Sequence, residues 1–237
     1  MASDSVRDLL TRRGAMGLLA VGAGLLVSGC ALISGESAYR FRMTVEVQTP
    51  QGLRTGFAVR EISYSKNLIK LPDMAAVVAT QRGEAVVVDL PGGQTLFALL
   101  SMNGYETLQA AFGDDSPATL DAAKADGRVV DLHPKPGSIP EQSGYPMLVR
   151  FGDVREPKSV ELVQPDDLAA SFGAGVKLRR ITVQMVDEPV TVGIGKRLGW
   201  LSTQHGALIQ QPANVLIGDM PAGGRITEGD FSIGILK

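Results

Sequence analysis

Apolar and polar residues alternate most clearly between positions 39 and 64. One side of an extended chain would carry Tyr39, Phe41, Met43, Val45 and Val47, and the other Arg40, Arg42, Thr44 and Glu46. This period of two predicts a half-buried strand. Thr49-Pro50-Gln51-Gly52 is typical of a turn, and residues 53–64 return as a second strand. The pattern therefore predicts a β-hairpin.

The polar side of this hairpin is cationic. Arg40 and Arg42 lie on it, and the returning strand could add Arg54 and Arg60. Such a face could receive an anionic partner, although a solvated strand surface is the favoured interpretation.

Nearly continuous apolar runs follow at 85–88 and 95–100, separated by Leu90-Pro91-Gly92-Gly93. The Pro-Gly order predicts a type II turn. Apolar runs without alternation predict strands that are covered on both faces.

Helical patterns occupy residues 105–112 and 117–125. Asp114, Asp115 and Ser116 offer a cap for the second helix, Pro117 suits its first position, and Gly127 would end it. A third helix is predicted to open at Pro165, with Asp166 and Asp167 in its first turn, where the helix dipole favours negative charge.

The remaining strands are short. We predict them at 128–132, 145–152, 159–163 and 176–186, with a final pair at 215–217 and 231–235, while 68–80 stays ambiguous. The fold class predicted from these elements is α+β, predominantly antiparallel β with a few short helices, in sandwich-like or curved sheets.

An export signal is predicted near the start of the chain. Arg12 and Arg13 precede residues 14–29, which carry no charge. Basic residues, an apolar run and small residues in this order are typical of a signal peptide. The run is shorter than the about 20 residues that a spanning helix needs, so we expect cleavage rather than a stable span.

The end of the run, Val27-Ser28-Gly29-Cys30, resembles the lipobox of bacterial lipoprotein signals. The resemblance implies cleavage before Cys30 and attachment of lipid to its thiol, which would hold the protein to a membrane of the cell envelope, facing the periplasm. Ala31 is not an acidic retention signal, so the same resemblance favours the outer membrane. The alternative is a buried cysteine at the end of an apolar run.

Thr11-Arg12-Arg13 also resembles a twin-arginine signal, which exports proteins that have already folded. Paired arginines occur in ordinary signals too, so both export routes stay open. We expect a cleaved signal peptide at 1–29, a lipidated tether at 30–38 and a β-rich domain at 39–237. A boundary near 135–145 would divide that domain if it contains two subdomains.

Composition narrows the classes of function. Cys30 is the only cysteine among 237 residues, so disulfides and cysteine zinc sites are excluded from the mature domain. With 23 basic and 25 acidic residues and no basic block, the chain is not expected to bind nucleic acid. No pattern for a cofactor or a metal ion is present.

Candidate catalytic residues are few. His133 and His205 are the two histidines, and Asp131 lies on the same side of a predicted strand as His133. A hydrolytic site could combine the three residues only if their loops meet, and structural or surface histidines are favoured.

Other candidates have structural explanations. Asp153, Glu156, Asp166 and Asp167 lack the ligand spacing of an EF-hand. Trp200, with Arg197 and Tyr145, could line a ligand groove, although a lone tryptophan in a glycine-rich stretch more often closes the edge of a core.

The block from Tyr145 to Leu168 resembles bacterial envelope proteins of unknown activity, and this resemblance implies no reaction. The function predicted first is a non-enzymatic binding or scaffolding module with an envelope protein as partner. The alternatives are a periplasmic hydrolase using Asp131, His133 and His205, or a ligand-binding lipoprotein.

Overall fold

A long β-hairpin opens the part of the chain that the structure describes. This computed structural model describes residues 37–66, 77–100, 104–134, 144–208 and 226–234, all within one unit, Glu36–Lys237. Its strands are β1 (Ser37–Thr49), β2 (Gly52–Lys66), β3 (Val77–Glu84), β4 (Val86–Asp89), β5 (Thr95–Ala98), β6 (Val129–Asp131), β7 (Leu148–Phe151), β8 (Val160–Val163), β9 (Lys177–Met185) and β10 (Ser232–Ile233). Its α-helices are α1 (Tyr105–Phe112), α2 (Pro117–Asp126), α3 (Leu168–Phe172) and α4 (Ile194–Arg197).

The predicted hairpin is confirmed. β1 and β2 pair antiparallel from Thr49 opposite Gly52 to Ser37 opposite Tyr64. The apolar–polar alternation of β1 matches its burial: Phe41 and Met43 are fully buried, while the polar residues that alternate with them are not.

The described strands form two sheets, and every pair in them is antiparallel. One sheet has six strands in the order β10–β3–β2–β1–β9–β6, and the other has four in the order β4–β5–β7–β8. The predicted fold class, α+β with mostly antiparallel β structure and short helices, is confirmed.

The four-stranded sheet is buried on both faces at β5, whereas its edge strand β8 is partly exposed. In β5, Leu96 and Ala98 belong to a core shared with β1, while Phe97 and the following Leu99 belong to a second core. The second core is completed by residues 194–208 and 226–231, which we call the third layer. The apolar run of β5 therefore has the structural role that its sequence predicts.

The two sheets come closest where β2 passes β4. A Cβ atom added to Gly56 would lie 2.0 Å from the carbonyl oxygen of Val87. Real Cβ atoms do not approach oxygen so closely, so the crossing requires glycine at this position.

The second predicted helix is confirmed together with its ends. The Ser116 hydroxyl accepts a hydrogen bond from the Thr119 amide, and Gly127 ends α2 in the left-handed conformation at φ 61°. These end signals act within a few residues of the chain, which is why the sequence predicts them.

The start of the third helix was predicted wrongly. α3 begins at Leu168, and Asp167 is its N-cap, accepting a hydrogen bond from the Ala170 amide. Pro165 and Asp166 therefore precede the helix, because the carboxylate of Asp167 binds a free amide of the first turn instead of joining that turn.

The last described strand, β10, lies at one edge of the six-stranded sheet. β10 pairs with β3 through Ser232 opposite Glu84. The predicted partner at 215–217 lies outside the described residues. Among the residues described, no helix is long and apolar enough to cross a membrane.

Candidate functional site

The predicted catalytic candidates lie near opposite edges of the six-stranded sheet. Asp131 is in β6, in register with Thr182 of β9, and His133 follows it on the surface. His205 is 78% exposed, with its Nδ1 3.6 Å from Oε1 of Glu228, and Glu228 begins the short turn before β10. The sheet order places four strands between β6 and β10, about 24 Å at the usual ~4.8 Å spacing. The structure does not bring the three candidates together.

The side chains that could bind a metal ion do not cluster in the described ranges either. Within the described ranges, no group of three His, Cys, Asp or Glu side chains is placed to hold a metal ion. The predicted lipidation site Cys30 and the signal residues Arg12, Arg13, Val27, Ser28 and Gly29 lie outside these ranges.

The predicted cationic face is an ion-paired surface, which we call the exposed sheet face: the outward side chains of β1 and their neighbours on β2 and β9. Arg40 Nε lies 2.6 Å from Oε2 of Glu61. Arg42 pairs with Glu188, and its guanidinium carbon lies 4.9 Å from the ring centre of the exposed Phe57. Arg40 and Arg42 already have carboxylate partners and are therefore not free to pair with the charges of an anionic partner.

Glu46 connects β1 to β9 on the same face. Its carboxylate accepts a hydrogen bond from Arg180 at 2.8 Å and lies 3.6 Å from Arg179. The hydrogen bond from Arg180 has the largest effect and lowers the pKa of Glu46. Burial opposes this shift, and the charges of Arg180 and Arg179 lower the pKa further.

Arg60 and Arg54 do not belong to the exposed sheet face. In the hairpin register Arg60 pairs with the inward-facing Phe41, and Arg54 pairs with Val47. Paired residues of an antiparallel ladder share a face, so both arginines point to the other side. The prediction that they join Arg40 and Arg42 was wrong.

Arg60 is fully buried and donates hydrogen bonds to three backbone carbonyls. Nε donates to Glu84 O at 3.2 Å, while Nη2 donates to Ala98 O at 3.1 Å and Leu99 O at 3.2 Å. Burial lowers the pKa of Arg60 to about 9, and the charge of Glu84 opposes this shift. The guanidinium is thus still charged at neutral pH and ties the two sheets together.

A cleft of about 370 Å³ opens where β1 begins and β9 ends, next to α2. This volume falls within the usual range for ligand sites, about 300–1,000 Å³. Its lining includes Tyr39, Arg40, Asp121, Lys124, Met185 and Asp187. We call it the α2 cleft.

Two ion pairs border the α2 cleft. Lys124 Nζ lies 2.5 Å from Oδ1 of Asp187, and Arg40 pairs with Glu61 as described above. Lys124 and Asp187 are 42% and 83% exposed, so their pairing is a surface interaction that water and salt weaken.

Tyr39 and Asp121 remain available within the α2 cleft. Among the described residues, neither the Tyr39 hydroxyl nor the Asp121 carboxylate makes a hydrogen bond or ion pair. Burial raises the pKa of Tyr39; the negative charge of Asp121 raises it further, and Lys124 opposes both. The cleft therefore holds an acceptor and a hydroxyl without protein partners in the described structure.

The clustered carboxylates that sequence analysis considered stabilise turns. The side-chain hydrogen bond from Arg155 lowers the pKa of Asp153 to about 2. Glu156 accepts a hydrogen bond from the Lys158 amide at 3.3 Å, in the turn before β8.

Trp200 belongs to the third layer and lies 5.7 Å from Phe151, ring centre to ring centre. Its Nε1 donates to Val154 O at 2.9 Å. Arg197 pairs instead with Asp89 at 2.7 Å, and Tyr145 is in the other core. The three residues do not form a common groove, and Trp200 closes the edge of a core.

The α2 cleft could not be predicted from sequence, because its walls come from four separate parts of the chain: 37–40, Glu61, 121–124 and 185–187. The one local signal was the spacing of Asp121 and Lys124, three residues apart on a predicted helix face. No pattern in the sequence places Asp187 beside that face. Comparison of the chain with protein-family models, with curated proteins and with solved structures gives no match.

Proposed function

We propose that the protein is a non-enzymatic binding module of the cell envelope, held to a membrane by lipid on Cys30 and favouring the outer membrane. The order of Arg12 and Arg13, the apolar run and Cys30 supports the anchor. The partner is another envelope component, and the α2 cleft is the surface that receives it.

The observation that carries the proposal is the α2 cleft itself. Within the described part of the chain, it presents a carboxylate and a hydroxyl without protein partners in a concave site, and its walls belong to a paired strand and a capped helix. Preformed sites of this kind lose little entropy on binding. The separation of Asp131 and His133 from His205 favours binding over hydrolysis.

The anchor is tested by the intact mass of protein extracted from membranes, with inner and outer membranes separated. We expect a mass that begins at a multiply acylated Cys30, because one acyl chain alone binds a bilayer only marginally. A Cys30→Ser variant should leave the membrane fraction. A mass that retains Met1 would contradict the lipid anchor.

The binding role is tested by cross-linking in cells with a photoreactive residue at Ala38, which lines the α2 cleft. Leu162 on β8, 39% exposed, serves as the matched control position. We expect a discrete adduct when the photoreactive residue is at position 38 and none when it is at position 162. Identical adducts from both positions, or none from either, would contradict a specific partner at the cleft.

A ligand-binding lipoprotein is the second candidate, favoured by the volume of the α2 cleft. A thermal-shift screen should then find a small molecule that raises the melting temperature of the wild-type protein. That molecule should have no effect on a variant whose cleft is filled by Ala38→Trp.

A further inference from the structure

We infer that the α2 cleft takes a cationic group on an aliphatic stem, such as the ammonium end of a lysine side chain or of a free alkylamine. This inference rests on the proposed function, because it assigns a ligand class to the same cleft.

The charges around the cleft favour a cation. Arg40 and Glu61 cancel each other at 2.6 Å, and Lys124 and Asp187 do so at 2.5 Å. Asp121 is then left without a positive partner among the described residues. Asp121 is exposed, so a cation that enters the cleft can reach its carboxylate, and low ionic strength strengthens their attraction.

The second carboxylate can share the incoming charge. Asp187 is 83% exposed and pairs with Lys124, and such surface pairs contribute little free energy. A bound ammonium could therefore approach both Asp121 and Asp187, while the Tyr39 hydroxyl offers a further acceptor.

The remaining lining suits an aliphatic stem. The half-buried Tyr39 and Val186 line the cleft, whereas Met185 is 3% exposed and offers it little surface. Tyr39 is itself supported by an edge contact with Tyr64, 6.3 Å between ring centres. Apolar carbon and an aromatic ring beside a carboxylate would contact the methylenes of a lysine-like chain and leave its charged end at the acid.

An anion fits the same site poorly. Both cations of the lining already have carboxylate partners, so an anion would have to displace one of them and would then face Asp121. The anion would then lie beside the released carboxylate as well as Asp121, and like charges repel each other.

The test titrates the full-length protein in detergent micelles, at low salt, with four compounds followed by saturation-transfer NMR. N-acetyl-lysine methylamide and putrescine carry the cation, as a side chain and as a free amine. N-acetyl-norleucine methylamide keeps the stem without the charge, and N-acetyl-glutamate methylamide reverses the charge. We expect binding of at least one cationic compound, at least tenfold tighter than that of the norleucine or glutamate compound.

If the lysine compound binds more tightly than putrescine, the natural ligand is a protein side chain. If putrescine binds more tightly, it is a free amine. Equal binding of the norleucine compound, or binding of none of the four, would overturn the inference. If cross-linking at Ala38 still succeeds in that case, the proposed function survives and the ligand class alone is wrong.

Variants locate the binding. Asp121→Asn should weaken binding of the cationic compound at least fivefold, and Tyr39→Phe should weaken it by a smaller factor. Asp126→Asn is the control, because Asp126 lies on the same helix, 4.0 Å from Arg128 and outside the lining of the cleft. Unchanged affinity in Asp121→Asn would also overturn the assignment.

Discussion

At the scale of single residues, we expect replacement of Arg60 to have the largest effect on the free energy of unfolding. Its guanidinium is fully buried, and it contacts the backbone of β3 and of the segment that ends β5. A buried charge is tolerated only when hydrogen bonds and an opposite charge replace water. Here three carbonyls supply the hydrogen bonds, and Glu84, 5% exposed, supplies the charge.

We expect Arg60→Met to lower the free energy of unfolding by about 3–5 kcal/mol, because it leaves Glu84 buried without its counter-charge. Urea unfolding followed by circular dichroism measures the change. Arg54→Met, at an exposed position of the same strand, should stay within about 0.5 kcal/mol of wild type.

The double variant Arg60→Met with Glu84→Gln separates charge from packing. It should be less destabilised than the sum of the two single variants, because neither charge then remains alone. Strict additivity of the two single effects would contradict the electrostatic link between these residues.

Glu46 should make the stability of the folded protein depend on pH. Its pKa is lowered in the folded protein, chiefly by the hydrogen bond from Arg180. It therefore contributes stability above its unfolded pKa of about 4.3, and this contribution is lost as the pH falls through the lower folded value.

We expect Glu46→Gln to be less stable than wild type at pH 7 by about 0.2–1 kcal/mol, the usual range for surface ion pairs. Urea midpoints of both proteins, compared between pH 7 and pH 3, should converge at the acidic end. A gap of constant size across this range would show that the carboxylate charge of Glu46 is not its cause.

At the scale of elements, the crossing of β2 over β4 depends on Gly56. This glycine lies in the interior of a strand, where the missing side chain ordinarily weakens the strand. The close carbonyl of Val87 explains why glycine is present. Sequence alone indicates only that a backbone approaches closely, and not which one.

We expect Gly56→Ala to destabilise the protein by about 1–3 kcal/mol or more, because the added methyl group would force the two sheets apart. Thermal unfolding provides the measurement. Gly199→Ala is the control, since a Cβ there meets nothing within 4 Å. Equal melting temperatures for the two variants would contradict the packing argument.

At the scale of the whole molecule, the two cores share the four-stranded sheet. Leu148 and Val149 are neighbours in β7, yet one faces the core with β1 and the other faces the third layer. Loss of either core would expose the sheet that supports the other. The two cores should therefore unfold together.

Trp200 makes this prediction measurable, because it is the only tryptophan and lies in the third layer. Its fluorescence reports that layer, while far-ultraviolet circular dichroism is dominated by the strands. We expect both signals to change with the same urea midpoint, as for a two-state domain. A fluorescence transition at a lower urea concentration than the circular dichroism transition would show that the third layer unfolds separately.

The local elements could be predicted from sequence because their causes are local. Alternation placed Phe41 and Met43 on the buried side of β1, and the Ser116 cap and Gly127 stop bounded α2. The start of α3 was predicted wrongly because Pro165 and Asp167 both suit a helix start, and only the hydrogen bond to Ala170 distinguishes them.

Sequence by itself determined most strand and helix types, although not β3 (Val77–Glu84), part of which stayed ambiguous. It also determined the antiparallel hairpin and the expectation of a lipid anchor, since each of these depends on neighbouring residues. Tertiary structure alone decided that Arg60 faces inward, that Asp131 and His205 lie near opposite edges, and that Asp121 meets Tyr39 and Asp187 in one cleft. The physical reason is that alternation fixes which residues share a face, whereas strand order and sheet packing fix which faces meet.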